Sequence, residues 1–232
     1  MGKVRIFSYS EEPFRDRVEA GRLLAGELEK LHLKDAVVLG IPRGGIVIAR
    51  ELAFILNADL DIVLSRKLGA AGNPELAIGA VGEDGKLFLN ETAASVLSEE
   101  KTYIEQEKTR SFAVIKRRSE KYRQILPKVS LKDRSVIVTD DGIATGATMR
   151  AALWIARGEH PQRLLAALPV GPPDTLQRLA EDVDDLVCLR APALFSAIGQ
   201  FYLDFSQVED EEVLEILRKE VKRKGKKNLP FG

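Results

Sequence analysis

Cysteine is almost absent from this chain: Cys188 is the only one in 232 residues. An internal disulfide is thereby excluded, the usual thiolate cluster for zinc is removed, and a reducing cytosol becomes the expected compartment. Histidine is nearly as scarce. His32 and His160 are the only two, and both stand outside the motifs described below, so neither a catalytic triad nor a histidine metal cluster is supported. Net charge is missing as well. The 35 Lys and Arg balance 35 Asp and Glu, so nothing global recommends a nucleic acid or a membrane surface as partner, and any anion site must be local. No apolar run approaches the ~20 residues of a membrane span, and the opening MGKVRIFSYSEEPFRD lacks the apolar core of a signal peptide.

With 45% hydrophobic residues the chain can bury one substantial core, and a single domain over residues 1–232 is the expected organisation. From Pro13 to Leu31, Phe14, Val18, Leu24, Leu28 and Leu31 recur at roughly helical spacing, which predicts an amphipathic helix over one face of the core. DAVVLG is then a short apolar run ending in glycine, IPRGG a loop, IVIARELAFIL helical in length, and DLDIVLSRK another β-branched run. Strand, helix and strand in that order imply parallel pairing. The stretch from Gly69 to Gly85 is glycine-rich, with ELAIGAV and KLFLN as short strands, and reads as a mobile hairpin or flap. Ser98 to Arg123 predicts a long charged surface helix ending before Pro127. The strand-loop-helix pattern returns in RSVIVTD, DGIATGAT and MRAALWIAR, with Trp154 expected to pack against the sheet, and the chain continues through QRLLAALPV to DDLVCLR. A helix begins near Asp210, and RKEVKRKGKKNLPFG, residues 218–232, reads as a basic low-complexity tail that stays in solvent.

The most informative segment is VIVTDDGIATGAT, Val136 to Thr148. Val136-Ile137-Val138 is buried comfortably only as a central strand, and it presents Asp140 and Asp141 at the carboxyl end, where open α/β sheets bind ligands. Two adjacent carboxylates repel, so burying both demands hydroxyl or cation partners. Ribose 2′- and 3′-hydroxyls with a magnesium ion nearby would satisfy them. Gly142 to Thr148 suits a phosphate: glycines for close backbone approach, the Thr145 and Thr148 hydroxyls, and free amides where a helix starts near Ala147. A Walker A loop would need a lysine after its last glycine, and a dinucleotide fingerprint would need Gly-x-Gly-x-x-Gly; the chain has neither. The plain alternative is a turn whose aspartates only cap the helix, although a cap uses one carboxylate and no second hydroxyl.

VIVTDDGIATGAT resembles the phosphoribosyl pyrophosphate motif of type I phosphoribosyltransferases: an apolar strand, two acids, then a loop ending in Thr-Gly-x-Thr. The order of elements matches over roughly Asp35 to Leu189. The resemblance implies a Rossmann-like α/β fold with a parallel sheet, a core over about 35–190, a flexible flap over about 65–90 and a small hood made from terminal segments. It implies that Asp140 and Asp141 hold the ribose hydroxyls beside Mg2+, through water or those hydroxyls, while Ala144, Thr145, Gly146, Ala147 and Thr148 cradle the 5-phosphate. It also implies a pyrophosphate loop after the first core strand, and GIPRGG stands there, with Arg43 offering paired donors and Gly44 and Gly45 exposing amides at a helix start. The bland reading of GIPRGG is a tight turn with Arg43 in solvent. On the flap, Arg66 and Lys67 could reach the diphosphate leaving group, or be plain surface cations. Glu75 and Glu83 are possible proton acceptors, or solvated loop carboxylates.

The same resemblance implies transfer of ribose 5-phosphate from phosphoribosyl pyrophosphate to a nitrogenous base with release of pyrophosphate, in a homodimer. A regulatory protein that senses phosphoribosyl pyrophosphate or a nucleotide without turnover is the alternative, as is a hydrolase or phosphorylase of a related ribose phosphate. Hypoxanthine-guanine enzymes carry an aspartate before the Thr-Gly, where this chain has Ala144, which argues against a 6-oxopurine acceptor and looks closer to adenine phosphoribosyltransferases. The base would fall to the hood, where Phe195, Phe201, Tyr202 and Asp204 stand in one stretch; an aromatic face can stack on it and Asp204 can accept an amine hydrogen. Core packing is the competing role for the aromatics. LPVGPP, Leu168 to Pro173, could line the opposite wall.

Overall fold

The computed structural model describes residues 2–70, 73–89 and 101–227. In chain order the strands are β1 (Lys3–Ser8), β2 (Ala36–Gly40), β3 (Asp59–Ile62), β4 (Ser65–Ala70), β5 (Asn73–Gly82), β6 (Leu87–Leu89), β7 (Ser135–Thr139), β8 (Arg163–Val170) and β9 (Asp185–Arg190). The helices are α1 (Arg17–Glu29), α2 (Gly45–Ile55), α3 (Lys101–Arg123), α4 (Ala147–Arg157), α5 (Pro173–Leu179) and α6 (Asp210–Lys227). One sheet runs β1-β9-β8-β7-β2-β3 with every pair parallel. A separate antiparallel sheet runs β4-β5-β6.

Helices on both faces explain why the central strands are continuous apolar runs; all residues of β2 and β7 are buried. Successive side chains point to opposite faces. Val38, Ile137, Leu165 and Val187 therefore join Leu24 and Leu28 of α1 and Ile48 and Leu52 of α2 on one side. Val136, Val138, Leu164 and Leu168 meet Met149 and Leu153 of α4 and Leu176 and Leu179 of α5 on the other. Each large side chain taken fully from water contributes roughly 1.5–3 kcal/mol. Helix α1 starts where Asp16 accepts the Glu19 amide at 2.8 Å, the usual role of an aspartate at that position.

Four features depart from the expectations. The segment KVRIFS is a strand, and it forms the sheet edge against β9. There the buried carboxylate of Asp185 takes Arg5 at 2.5 Å and Arg163 at 2.8 Å. The run DLDIVLSRK is two strands: the Val63 amide makes a last bond to Gly40 at 3.1 Å, after which the chain enters the antiparallel sheet. Trp154 packs on that smaller sheet, stacked on Phe88 with ring centroids 5.7 Å apart, and its indole donates to Asp182 at 2.9 Å. The basic segment from Arg218 continues α6 as far as Lys227, and residues 228–232 lie outside the described residues. Its helical phase is what anchors it. Val213, Ile216, Leu217 and Glu220 fall on one buried face, Arg223 donates to the Ala58 carbonyl at 2.6 Å, and Lys224 pairs with Asp59 at 3.1 Å.

Of the region expected to be a flap, the described residues form β4, β5 and β6; residues 71, 72 and 90 lie outside the described residues, as does the side chain of Glu75. Leu217→Ala should lower the unfolding free energy by about 2–5 kcal/mol in a denaturant titration, the range for emptying a packed leucine site. A C-terminal segment loose in solvent would give no change.

Candidate functional site

Gly40 of β2 stands opposite Thr139 of β7, so the turns that follow these strands leave the sheet at one level. The Ile41 amide donates to the Thr139 carbonyl at 3.0 Å. That closeness decides which residues fit. A β-carbon at Gly44 would collide with Asp141 Oδ2, and one at Gly45 would lie 2.8 Å from the Asp140 Cα and 2.9 Å from the Thr139 carbonyl oxygen. The glycine pair thus lets the GIPRGG turn touch the aspartate turn. Within GIPRGG the Pro42–Arg43 peptide is cis, and Arg43 extends to Glu209 at 3.0 Å. That pair sits on the exposed rim, where such contacts are worth about 0–1 kcal/mol and yield readily to a stronger anion.

The two aspartates occupy different environments. Asp141 is buried: its Oδ2 accepts Arg17 Nε at 2.8 Å, and its backbone carbonyl accepts the Tyr202 hydroxyl at 2.6 Å. Asp140 is half-buried as a residue, and its Oδ1 accepts the Asp141 amide at 2.9 Å. Protein packed around the Asp140 carboxyl, and then the charge of Asp141 beside it, push it well above the ordinary carboxylate range. A cation or hydroxyl donors supplied by a ligand would relieve that.

Beyond them the chain turns on Gly146, whose φ of 78° places it in the left-handed region, and enters α4 at Ala147. The turn is held from behind: the Ile143 amide donates to the Val170 carbonyl at 3.0 Å, and the Thr175 hydroxyl donates to the Ala144 carbonyl at 3.0 Å. The first helical bond of α4 comes from the Arg150 amide to Gly146; the Ala147 amide makes a long contact to the Thr145 hydroxyl at 3.5 Å, with which an anion at the helix start would compete. Ala144, Thr145 and Thr148 are exposed, and Gly146 and Ala147 are half-buried. An open cleft of about 580 Å³ separates this turn from β4, with Thr145, Ala147 and Thr148 on one wall and Arg66 and Lys67 on the other. The fold therefore brings the predicted phosphate turn, the acid pair, GIPRGG and the two β4 cations to one edge of the sheet.

Other expected residues are placed differently. Tyr202 is buried at 6% exposure against Phe14 and Phe205, with ring centroids 5.5 Å and 5.1 Å away, so in this structure it is packing and a hydrogen-bond donor, with no face presented to a base. Phe195 is half-buried and packs on Phe201 at 5.0 Å. Asp204 is exposed, and its Oδ1 accepts the Ser206 amide at 3.0 Å. Leu168 and Val170 are fully buried beneath the phosphate turn, so at those two positions LPVGPP is a support for that turn. Glu83 is not a free base. Burial raises its carboxyl, but Arg123 at 2.6 Å and the Ser119 hydroxyl at 2.8 Å outweigh that and hold it below the usual range. Burial drives the Cys188 thiol up to about 12, which suits an inert core residue.

Arg17 is not among the sequence candidates. A signal for it exists: Arg17, Ala20, Gly21, Leu24 and Leu28 share the buried face of α1, and an arginine in phase with an apolar stripe needs a buried partner.

A family model described as "Phosphoribosyl transferase domain" matches residues 17–206. The chain belongs to the phosphoribosyl transferase family. Among its relatives, "Putative phosphoribosyl transferase Rv0571c" of Mycobacterium tuberculosis strain H37Rv, and its counterpart MT0597 in strain CDC 1551, are 42% identical over 204 residues, 88% of this chain and 46% of theirs. The chain thus spans about half the length of these curated relatives. Among solved structures, the crystal structure of TT1426 from Thermus thermophilus is 47% identical with a TM-score of 0.86, covering 89% of this chain and 98% of that one. For this family member the contact between the two turns gives a direct test. Gly44→Ala should lose roughly 1–3 kcal/mol of stability from overpacking. Gly26→Ala, in the interior of α1 with nothing within 4 Å of the added carbon, should gain roughly 0.5–1 kcal/mol. Thermal or denaturant unfolding of the two variants reads the opposite signs.

Proposed function

We propose that this phosphoribosyl transferase family member moves the 5-phosphoribosyl group of phosphoribosyl pyrophosphate to a nitrogenous base and releases pyrophosphate. The observation that carries the reading is the direct contact between Gly44-Gly45 and Asp140-Asp141, with the Ala144 to Thr148 turn continuing from the same strand. One ligand carrying a 5-phosphate, two ring hydroxyls and a diphosphate matches the three sets of donors and acceptors in their spatial order. The bond broken joins the anomeric carbon to the diphosphate oxygen, which leaves with the electron pair, while a base nitrogen forms the new bond. Positive charge develops on the ribose ring, so holding its hydroxyls at Asp140 and Asp141 orients the reacting carbon. Arg43, the amides of Gly44 and Gly45, and Arg66 and Lys67 stabilise the departing diphosphate.

Magnesium fits the donor set in a restricted way. Among the described residues no three His, Cys, Asp or Glu side chains gather as a cage, and the Asp141 carboxylate is already engaged by Arg17. Asp140 is, as a residue, the less buried of the two. Mg2+ commonly binds through one or two carboxylates together with substrate phosphates, so Asp140 would hold it with oxygens of the ligand, and Asp141 would contribute less than a ligand in its own right. When bound, the ion neutralises charge on the leaving diphosphate. The Ala144 side chain has no group to accept a hydrogen bond, which favours an acceptor other than a 6-oxopurine. The proposal places the reaction in a reducing cytosol and in a homodimer; the solitary buried Cys188 supports the first, and the family resemblance supports the second.

Asp140→Asn/Asp141→Asn should abolish magnesium-dependent binding of phosphoribosyl pyrophosphate in calorimetry; unchanged affinity would falsify the site. A panel of purine, pyrimidine and pyridine bases, scored for pyrophosphate release, should contain one acceptor. Tight binding with no release across the panel would replace the enzyme with a sensor.

A further inference from the structure

Arg17 opens α1, far from the phosphate turn in sequence, yet it is only 9% exposed and reaches the candidate site from behind. Its Nε donates to Asp141 Oδ2 at 2.8 Å and its Nη1 donates to the Ser206 carbonyl at 2.8 Å. The guanidinium carbon lies 4.0 Å from the centroid of the Phe205 ring. A β-carbon at Gly44 would stand 3.1 Å from the same Nε. Three segments thus meet on one side chain: the acid turn, the 202–206 part of the hood and the GIPRGG turn. Tyr202 adds a second tie between hood and acid turn through the Asp141 carbonyl.

A fork of fixed geometry suits this position. A planar guanidinium can serve a carboxylate and a carbonyl at once while stacking on an aromatic ring, whereas an ammonium is a single point of charge. Neutralising Asp141 would require only one of these contacts. Oδ2 is taken by Arg17, and the direction of the Asp141 carboxylate is fixed by the arginine.

We propose that Arg17 is a positioning residue that holds Asp141 and the 202–206 hood segment in one arrangement against the Gly44-Gly45 turn. The proposal rests on the phosphoribosyl reading of the site. It acts through Asp141, so the two residues are energetically coupled in ligand binding.

The test uses the full chain with Arg17→Met, Asp141→Asn and the double substitution, and Arg17→Lys as a second single variant should Arg17→Met not fold. The first readout is calorimetric affinity for phosphoribosyl pyrophosphate with Mg2+. Each single change should weaken it about tenfold or more, and the double variant should be no weaker than the worse single, as coupled neighbours behave. Losses that multiply, or unchanged affinity of the folded variant, overturn the proposal. The second readout is amide hydrogen exchange without ligand at Leu203 and Asp204, whose amides donate to the Phe14 and Arg15 carbonyls at 2.8 Å and 2.9 Å. Faster exchange in Arg17→Met or Arg17→Lys supports the anchoring, and wild-type exchange overturns it. Wild-type protein that binds no phosphoribosyl pyrophosphate removes the ribosyl reading, and hydrogen exchange then decides the Arg17 anchor by itself.

Discussion

Two turns that leave neighbouring parallel strands at the same height must share one volume, and the rest of this site follows from that crowding. Gly44 and Gly45 are the only way for the first turn to lie against the aspartates of the second, since any β-carbon there meets Asp140, Asp141 or the Thr139 carbonyl. The crowding also encloses two adjacent carboxylates at the end of a buried strand, where their mutual repulsion and poor solvation are costly. The fold answers asymmetrically. Asp141 is compensated from within by Arg17, while Asp140 is left with a raised proton affinity. An acid pair that looks symmetrical in sequence becomes one fixed support and one receptive group.

The strand-turn-helix units are legible because they depend on short-range signals: β-branched runs that become buried strands, glycines at the turns, and helical spacing afterwards. The Gly142 to Thr148 turn, the acids and GIPRGG come from the same signals and fall at the carboxyl end of the sheet because parallel neighbours carry their carboxyl ends together. What escapes depends on distance. Arg17 meets Asp141 across 124 positions, and nothing local says that an arginine on a charged helix is the buried one, apart from its phase on the stripe. Strand β1 alternates Val4 and Ile6 with charged neighbours, a period-2 pattern diluted by its place at the edge. Tyr202 is a candidate for stacking because aromatic residues suit both cores and ligands; only its packing against Phe14 and Phe205 separates the two. The segment from Arg218 has the composition of a tail, yet Glu220 and Arg223 continue the phase set by Val213 and Leu217 and find partners there.

The smaller sheet is joined to the larger one by charge. Arg123, the last residue of α3, pairs with Asp61 of β3 at 2.5 Å and with Glu83 just after β5 at 2.6 Å. Burial raises the Asp61 carboxyl, with Arg123 opposing that shift, so the cation is a requirement of the buried acid. The β4 strand that carries Arg66 and Lys67 is thus tethered at its root to the central sheet, while its cleft-facing side stands opposite the Thr145 to Thr148 turn.

The edge strand has a consequence in time. Arg5 closes on Asp185, 180 positions away, and among the described residues β1 neighbours only β9 in the sheet. During synthesis from the amino end, β1 must therefore wait for β9 before it can pair. Contacts of such long loop closure are slow to form, and until then an edge bearing Val4 and Ile6 stays open. The alternating Lys3 and Arg5 supply charge along that waiting segment, the kind of feature that keeps an unpaired strand from joining another chain.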